Sequence, residues 1–123
     1  MRAGALANRA ALSLRAGDIE TARRDLQEAG DLAPDNAAIR VNLAAALIRA
    51  RDYAGAERAA RAALDMKGAH KAQAWFNLAV ALERRRDYDG AYEAYVEAAA
   101  LAPDAASFAA QPRRFRRHAG GDA

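Results

Sequence analysis

The chain has 123 residues, a net charge of +3 at neutral pH and no cysteine. That length suits a single domain with a small core, and the missing cysteine excludes a disulfide framework, a thiolate metal site and a Cys nucleophile. Ala outnumbers all other hydrophobic residues together, so stability is expected from close helix packing more than from bulky side chains.

Charge is unevenly placed. Residues 105–123 hold four Arg and one Asp, which leaves residues 1–104 neutral, and any general attraction to nucleic acid or anionic lipid is expected from the tail. Met1 to Ala16 lacks the charged start, unbroken apolar run and small-residue cleavage site of a secretory signal, and no run reaches the length of a membrane span. A soluble, cytoplasmic protein is the expectation.

In chain order, residues 3–16 read as a first helix, and Asp18, a good N-cap, starts a second that runs to about Leu32. Pro34 stops continuation and Asp35 is the expected cap of a helix near 37–50. Asp52 opens a helix at about 53–66, which Gly68 ends. Helices near 72–85 and 88–101 follow, the latter capped by Asp87. Asp104 can cap a short turn over 105–111, whose Phe108 is placed to fold back over the last hairpin. Pro112 cuts it short, and residues 112–123 are too charged and Gly-rich to pack, so a basic disordered tail is expected.

The six helices form three copies of one unit. Gly17-Asp18, Arg51-Asp52 and Arg86-Asp87 are each followed by an apolar residue (Ile19, Tyr53, Tyr88) and then by Ala22, Ala56 and Ala91. Asp18 to Asp52 is 34 residues and Asp52 to Asp87 is 35, with the extra residue in the connection around Lys67 to Lys71. Where the third unit has Trp75, Leu78 and Leu82, the second has Arg40, Leu43 and Leu47, and the first has Leu6, Arg9 and Ser13. The first unit reads as a solvent-facing end, because terminal repeats have one face without a neighbour.

The third unit carries Trp75, Leu78, Ala79, Leu82, Ala91, Tyr95, Ala98 and Pro103. This resembles the tetratricopeptide repeat pattern, with Ala79 for Gly, Leu82 for Tyr and Tyr95 for Phe. The resemblance covers residues 3–104, in repeats at about 3–36, 37–70 and 72–105. It implies an all-α, right-handed α-solenoid of three antiparallel helix hairpins with a short C-terminal extension. A pentatricopeptide array is the near competitor; Pro34, Pro103, the 34-residue step and the neutral body weigh against it.

No catalytic set, phosphate loop or dinucleotide fingerprint is present, so no enzyme and no cofactor are expected. His70 and His118 have no metal partners at suitable spacing. Glu93 and Glu97 read as a solvated helix face. Trp75, Leu78 and Tyr95 fall at the repeat's packing positions, and Trp75 is expected to be largely buried.

The resemblance places the A helices along a concave groove and the B helices outside. Residue by residue it implies columns: Asn8, Asn42 and Asn77; Ala7, Val41 and Phe76; Ala11, Ala45 and Val80; Leu14, Ile48 and Glu83; Arg15, Arg49 and Arg84. The candidate groove is therefore Asn8, Arg15, Val41, Asn42, Arg49, Phe76, Asn77, Val80 and Arg84. Asn can hold a peptide backbone without reading its sequence, Arg gives charge-assisted bonds to carboxylates, and the apolar strip supplies burial. A non-catalytic protein-interaction module is expected, an adaptor or assembly factor binding a peptide segment or partner helix of acidic character, with no small-molecule substrate. The alternative is an acidic-surface or nucleic-acid tether acting through Arg113, Arg114, Arg116 and Arg117. The carboxylate clamp of chaperone-binding members is disfavoured: its five positions are occupied by Ala7, Ala11, Asn42, Gln73 and Asn77, of which only Asn42 matches.

Overall fold

A computed structural model describes residues 2–68 and 70–103. The expected turn at 105–111 and the basic tail at 112–123, with Phe108, His118 and the tail arginines, lie outside the described residues. The rest is six helices: α1 (Ala3–Arg15), α2 (Ile19–Leu32), α3 (Ala37–Arg49), α4 (Tyr53–Leu64), α5 (Lys71–Arg84) and α6 (Tyr88–Leu101). They pair as the hairpins α1/α2, α3/α4 and α5/α6, and the hairpins stack into an all-α repeat solenoid.

Each A helix ends in the same way. The amide of the third residue beyond the helix end reaches back to a carbonyl in the last turn: Asp18 to Ser13 (2.8 Å), Asp52 to Leu47 (2.8 Å) and Asp87 to Leu82 (2.9 Å). This closure needs a left-handed residue just before the Asp, and that residue is Gly17 (φ 83°), Arg51 (φ 65°) or Arg86 (φ 68°). The same Asp then caps the B helix. Its carboxylate accepts the amide of Thr21 (3.3 Å), Gly55 (2.9 Å) or Gly90 (3.1 Å). Gly55 and Gly90 allow that close approach, since a Cβ there would stand 2.5 and 2.7 Å from a carboxylate oxygen. Thr21 carries a Cβ, and its bond is the longest of the three.

Two boundaries differ from the sequence expectation. Asn36, not Asp35, caps α3, because Asn36 immediately precedes the first helical residue and its Oδ1 can accept the Ile39 amide (3.3 Å). α4 stops at Leu64, and Gly68 (φ 145°) bends the connection instead of ending the helix. Lys71 Nζ spans that connection and donates to the Leu64 carbonyl.

Small residues set the hairpin spacing. Ala10 and Ala22, Ala44 and Ala56, and Ala79 and Ala91 are fully buried at equivalent places in the three hairpins. With only a methyl group at each of these places the helices can pack closely, and Leu6, Leu26, Leu43, Leu78, Leu82 and Tyr95 complete the same core. Trp75 is partly buried and packs on this core.

The first unit replaces apolar packing with an ion pair. Arg9 stands in the register of Leu43 and Leu78, and Asp25 in that of Ala59 and Ala94. Arg9 Nε and Nη2 donate to the two Asp25 oxygens at 2.7 and 2.8 Å, and Asp25 is only 5% exposed. The guanidinium's hydrogen bonds hold the Asp25 carboxyl below the usual carboxylate range, against the burial that pushes it up. Between the second and third units, Glu57 on α4 accepts from Arg61 (3.1 Å) and from Arg85 at the end of α5 (2.6 Å).

Candidate functional site

The A helices α1, α3 and α5 follow one another along one face. α3 packs directly on α5, whereas α1 comes less close to α3. One bond spans that wider step: Arg49 Nη1 donates to the Leu14 carbonyl at 2.8 Å, at the C-terminal end of α1. Leu14 O already accepts the Gly17 amide, so Arg49 adds positive charge to a helix end that carries partial negative charge.

The nine residues expected to line a groove divide in two. Asn8, Arg15, Asn42, Arg49 and Arg84 are exposed, and Phe76 and Val80 are half-buried. Val41 and Asn77 are not available to a ligand. Val41 is 5% exposed and packs with Ala63 and Ala74 at the junction of α3, α4 and α5. Asn77 is 4% exposed; its Nδ2 donates to the Val41 carbonyl (3.0 Å) and its Oδ1 accepts from Gln73 Nε2 (3.0 Å). The row of three Asn is therefore broken. Asn8 and Asn42 face out, while Asn77 fastens α5 to α3, because α5 sits close enough on α3 for a short amide to reach its backbone.

Phe76, Val80 and Arg84 come together with residues that sequence reasoning assigned elsewhere. They line a shallow depression of ≈ 490 Å³ with Glu83, Arg86, Tyr88 and Tyr95. Tyr95 is almost fully buried, its ring edge-on to Phe76 with centroids 5.6 Å apart and planes at 66°. Its hydroxyl donates to Glu83 Oε1 at 2.7 Å. Tyr95 therefore holds both the Phe76 ring and the Glu83 carboxylate, which fixes one wall of the depression. The signal for this in the sequence was the interruption of the Leu14, Ile48 column by Glu83 with a Tyr twelve residues on. Towards the first unit the same face flattens, since Ala7, Ala11 and Ala45 stand where Phe76 and Val80 stand in the third.

A second depression, of ≈ 630 Å³, lies at the opposite edge between the inter-unit connections, around Pro34, Asn36, Lys67 and His70. It is open and mixed in character. Among the described residues no group of His, Asp or Glu is arranged to hold a metal ion, and no helix is long and apolar enough to cross a membrane.

The geometry defines a helical-hairpin repeat whose A-helix face is partly apolar and basic. Tetratricopeptide-repeat models match residues 13–68 and 72–105. The chain belongs to the tetratricopeptide repeat family. Its fold is similar to the first such domain of Spaghetti (RPAP3) bound to the HSP90 peptide SRMEEVD, with a TM-score of 0.89 at 18% identity over 97% of this chain and 94% of that one. It is also similar to the Arabidopsis OM64 domain (TM-score 0.88, 21% identity, 94% and 95% covered). The Aspergillus fumigatus Sgt2 domain gives a TM-score of 0.86 at 21% identity, over 96% of this chain and 79% of that one. A sequence comparison with curated proteins returns no match.

Proposed function

We propose that the chain is a non-catalytic interaction module, an adaptor or assembly factor that binds an acidic, partly apolar segment of another protein on its concave face. The observation that carries this reading is the depression in the third unit, where the half-buried Phe76 and Val80 meet the exposed Arg84 over a wall fixed by Tyr95. Apolar burial there supplies affinity, and the guanidinium supplies charge-assisted bonds to carboxylates. The similar RPAP3 domain holds SRMEEVD, an acidic segment, on the same fold. The carboxylate clamp of chaperone-binding members is disfavoured for this chain. Ala7 and Ala11 offer no donors, and the Asn77 amide is committed to Val41 and Gln73.

Asn8, Arg15 and Asn42 are exposed and extend the surface towards the first unit, beside the small side chains of Ala7, Ala11 and Ala45. Arg49 contributes charge from a position already tied to Leu14. Selection from a random peptide library tests this reading, with binders counter-screened against Phe76→Ala and Arg84→Glu. The expected consensus combines carboxylates with large apolar residues, and its affinity falls in both variants. Binders indifferent to both substitutions would place the site elsewhere, on the B helices or the Arg-rich C-terminal residues.

A further inference from the structure

The three A-to-B turns lie along one edge of the solenoid, and exposed arginines gather there: Arg15, Arg49, Arg51, Arg84, Arg85 and Arg86. Two of them have other work within the fold. Arg49 donates to Leu14 O, and Arg85 pairs with Glu57. Arg51 and Arg86 do not. Among the described residues neither makes an ion pair or a side-chain hydrogen bond, and both hold left-handed backbone (φ 65° and 68°) at the place where the first unit has Gly17 (φ 83°). That conformation is costly for a residue with a Cβ and free of penalty for Gly. Glycine would make the same closing bonds without that cost, so the turn's backbone alone gives no reason for arginine in either unit.

We infer that Arg51 and Arg86 act in recognition: with Arg84 they form a row along the turn edge that grips carboxylates of an acidic protein segment as it leaves the concave face. The inference rests on the groove reading above and extends it to a second surface. The two surfaces are joined, because Arg86 lines the same depression as Phe76, Val80 and Arg84. A peptide suits this edge better than a nucleic acid. Asp18, Asp52 and Asp87 recur along it once per unit, each bound to its own helix N-terminus. They interrupt the positive row, which a continuous phosphate backbone would have to cross; spaced carboxylates can sit between them.

The test is the double variant Arg51→Gly, Arg86→Gly, probed with a fluorescent peptide carrying Glu at alternate positions with Leu between, and with single-stranded DNA of equal charge. The expected result is unchanged or higher thermal stability together with peptide binding weaker by about 2-fold to 30-fold, the range for losing two exposed ion pairs. That difference should shrink at high salt. Phe76→Ala separates the two readings. If it weakens binding while the glycine variant binds like wild type, the edge has no role and the groove stands. If only the glycine variant weakens binding, the edge stands without the groove. DNA binding tighter than the peptide, and lost in the glycine variant, would overturn the inference in favour of a nucleic-acid edge.

Discussion

Asn77→Ala separates a structural amide from a binding one. In the structure this amide is buried and joins α5 to the backbone of α3 through Val41 O, with Gln73 completing its bonding. Gln73 is exposed, so water replaces its bond; the Val41 bond and the packing around it are lost outright. A buried hydrogen bond contributes about 0.5–1.5 kcal/mol net, and with the lost contacts the variant should lose about 1–2 kcal/mol. For a domain of this size each kcal/mol moves the melting temperature by about 4–8 °C, so calorimetry should show a drop of about 4–16 °C. Asn77→Asp should be worse at neutral pH, because it sets a carboxylate against the Val41 carbonyl in a buried site. Peptide affinity, measured well below the melting temperature, should stay within about 2-fold of wild type, far less than a lost charge-assisted contact would cost. An unchanged melting temperature, or a loss of affinity at unchanged stability, would refute the assignment of Asn77 to the stack.

Trp75→Ala should cost about 2–3 kcal/mol in urea unfolding, below the range for a fully enclosed aromatic, because the indole is only half-buried; a loss under about 1 kcal/mol would mean that the indole does not pack on the core. Arg40 stands in the register of Trp75, and its Nε is buried without a hydrogen-bond partner among the described residues. Arg40→Leu should therefore raise stability by about 1 kcal/mol, and a loss would show that the guanidinium is satisfied. Asp25, held below the ordinary carboxylate range by Arg9, contributes stability that is present above its unfolded pKa near 4 and is lost as pH falls through the lower folded value. The stability gap between wild type and Asp25→Asn should be constant from pH 8 to about 5 and close at more acid pH; a gap that widened on acidification would contradict the pairing.

The fold was legible in the sequence because it rests on features that repeat in step. Three Asp caps and three buried Ala pairs recur every 34 or 35 residues, and Leu43 and Leu47 are matched by Leu78 and Leu82; each has a local reason to sit where it does. The site was less legible, because columns aligned on a common period assume that every unit meets its neighbour in the same way. α3 and α5 approach closely enough to bury Val41 and Asn77, while α1 and α3 do not, so Asn42 remains exposed where Asn77 is consumed. The Arg9 and Asp25 pair escaped notice for a related reason. Each charge reads alone as a lapse in an apolar pattern, and only the register placing them opposite Leu43 and Ala59 makes them partners.

This inequality between units bears on how mutations of the A-helix face are to be interpreted. Arg49 looks like the central member of an Arg row, yet its guanidinium holds the end of α1 through Leu14 O, across the step where the A helices are least closely packed. Arg49→Glu would remove that bond and set a carboxylate against the negative end of α1, so a loss of binding in that variant reports on the joint between the first two units as much as on ligand contact. Arg84 has no such bond among the described residues and sits beside Phe76 and Val80. A loss of binding in Arg84→Glu would therefore report on ligand contact more directly than the same loss in Arg49→Glu.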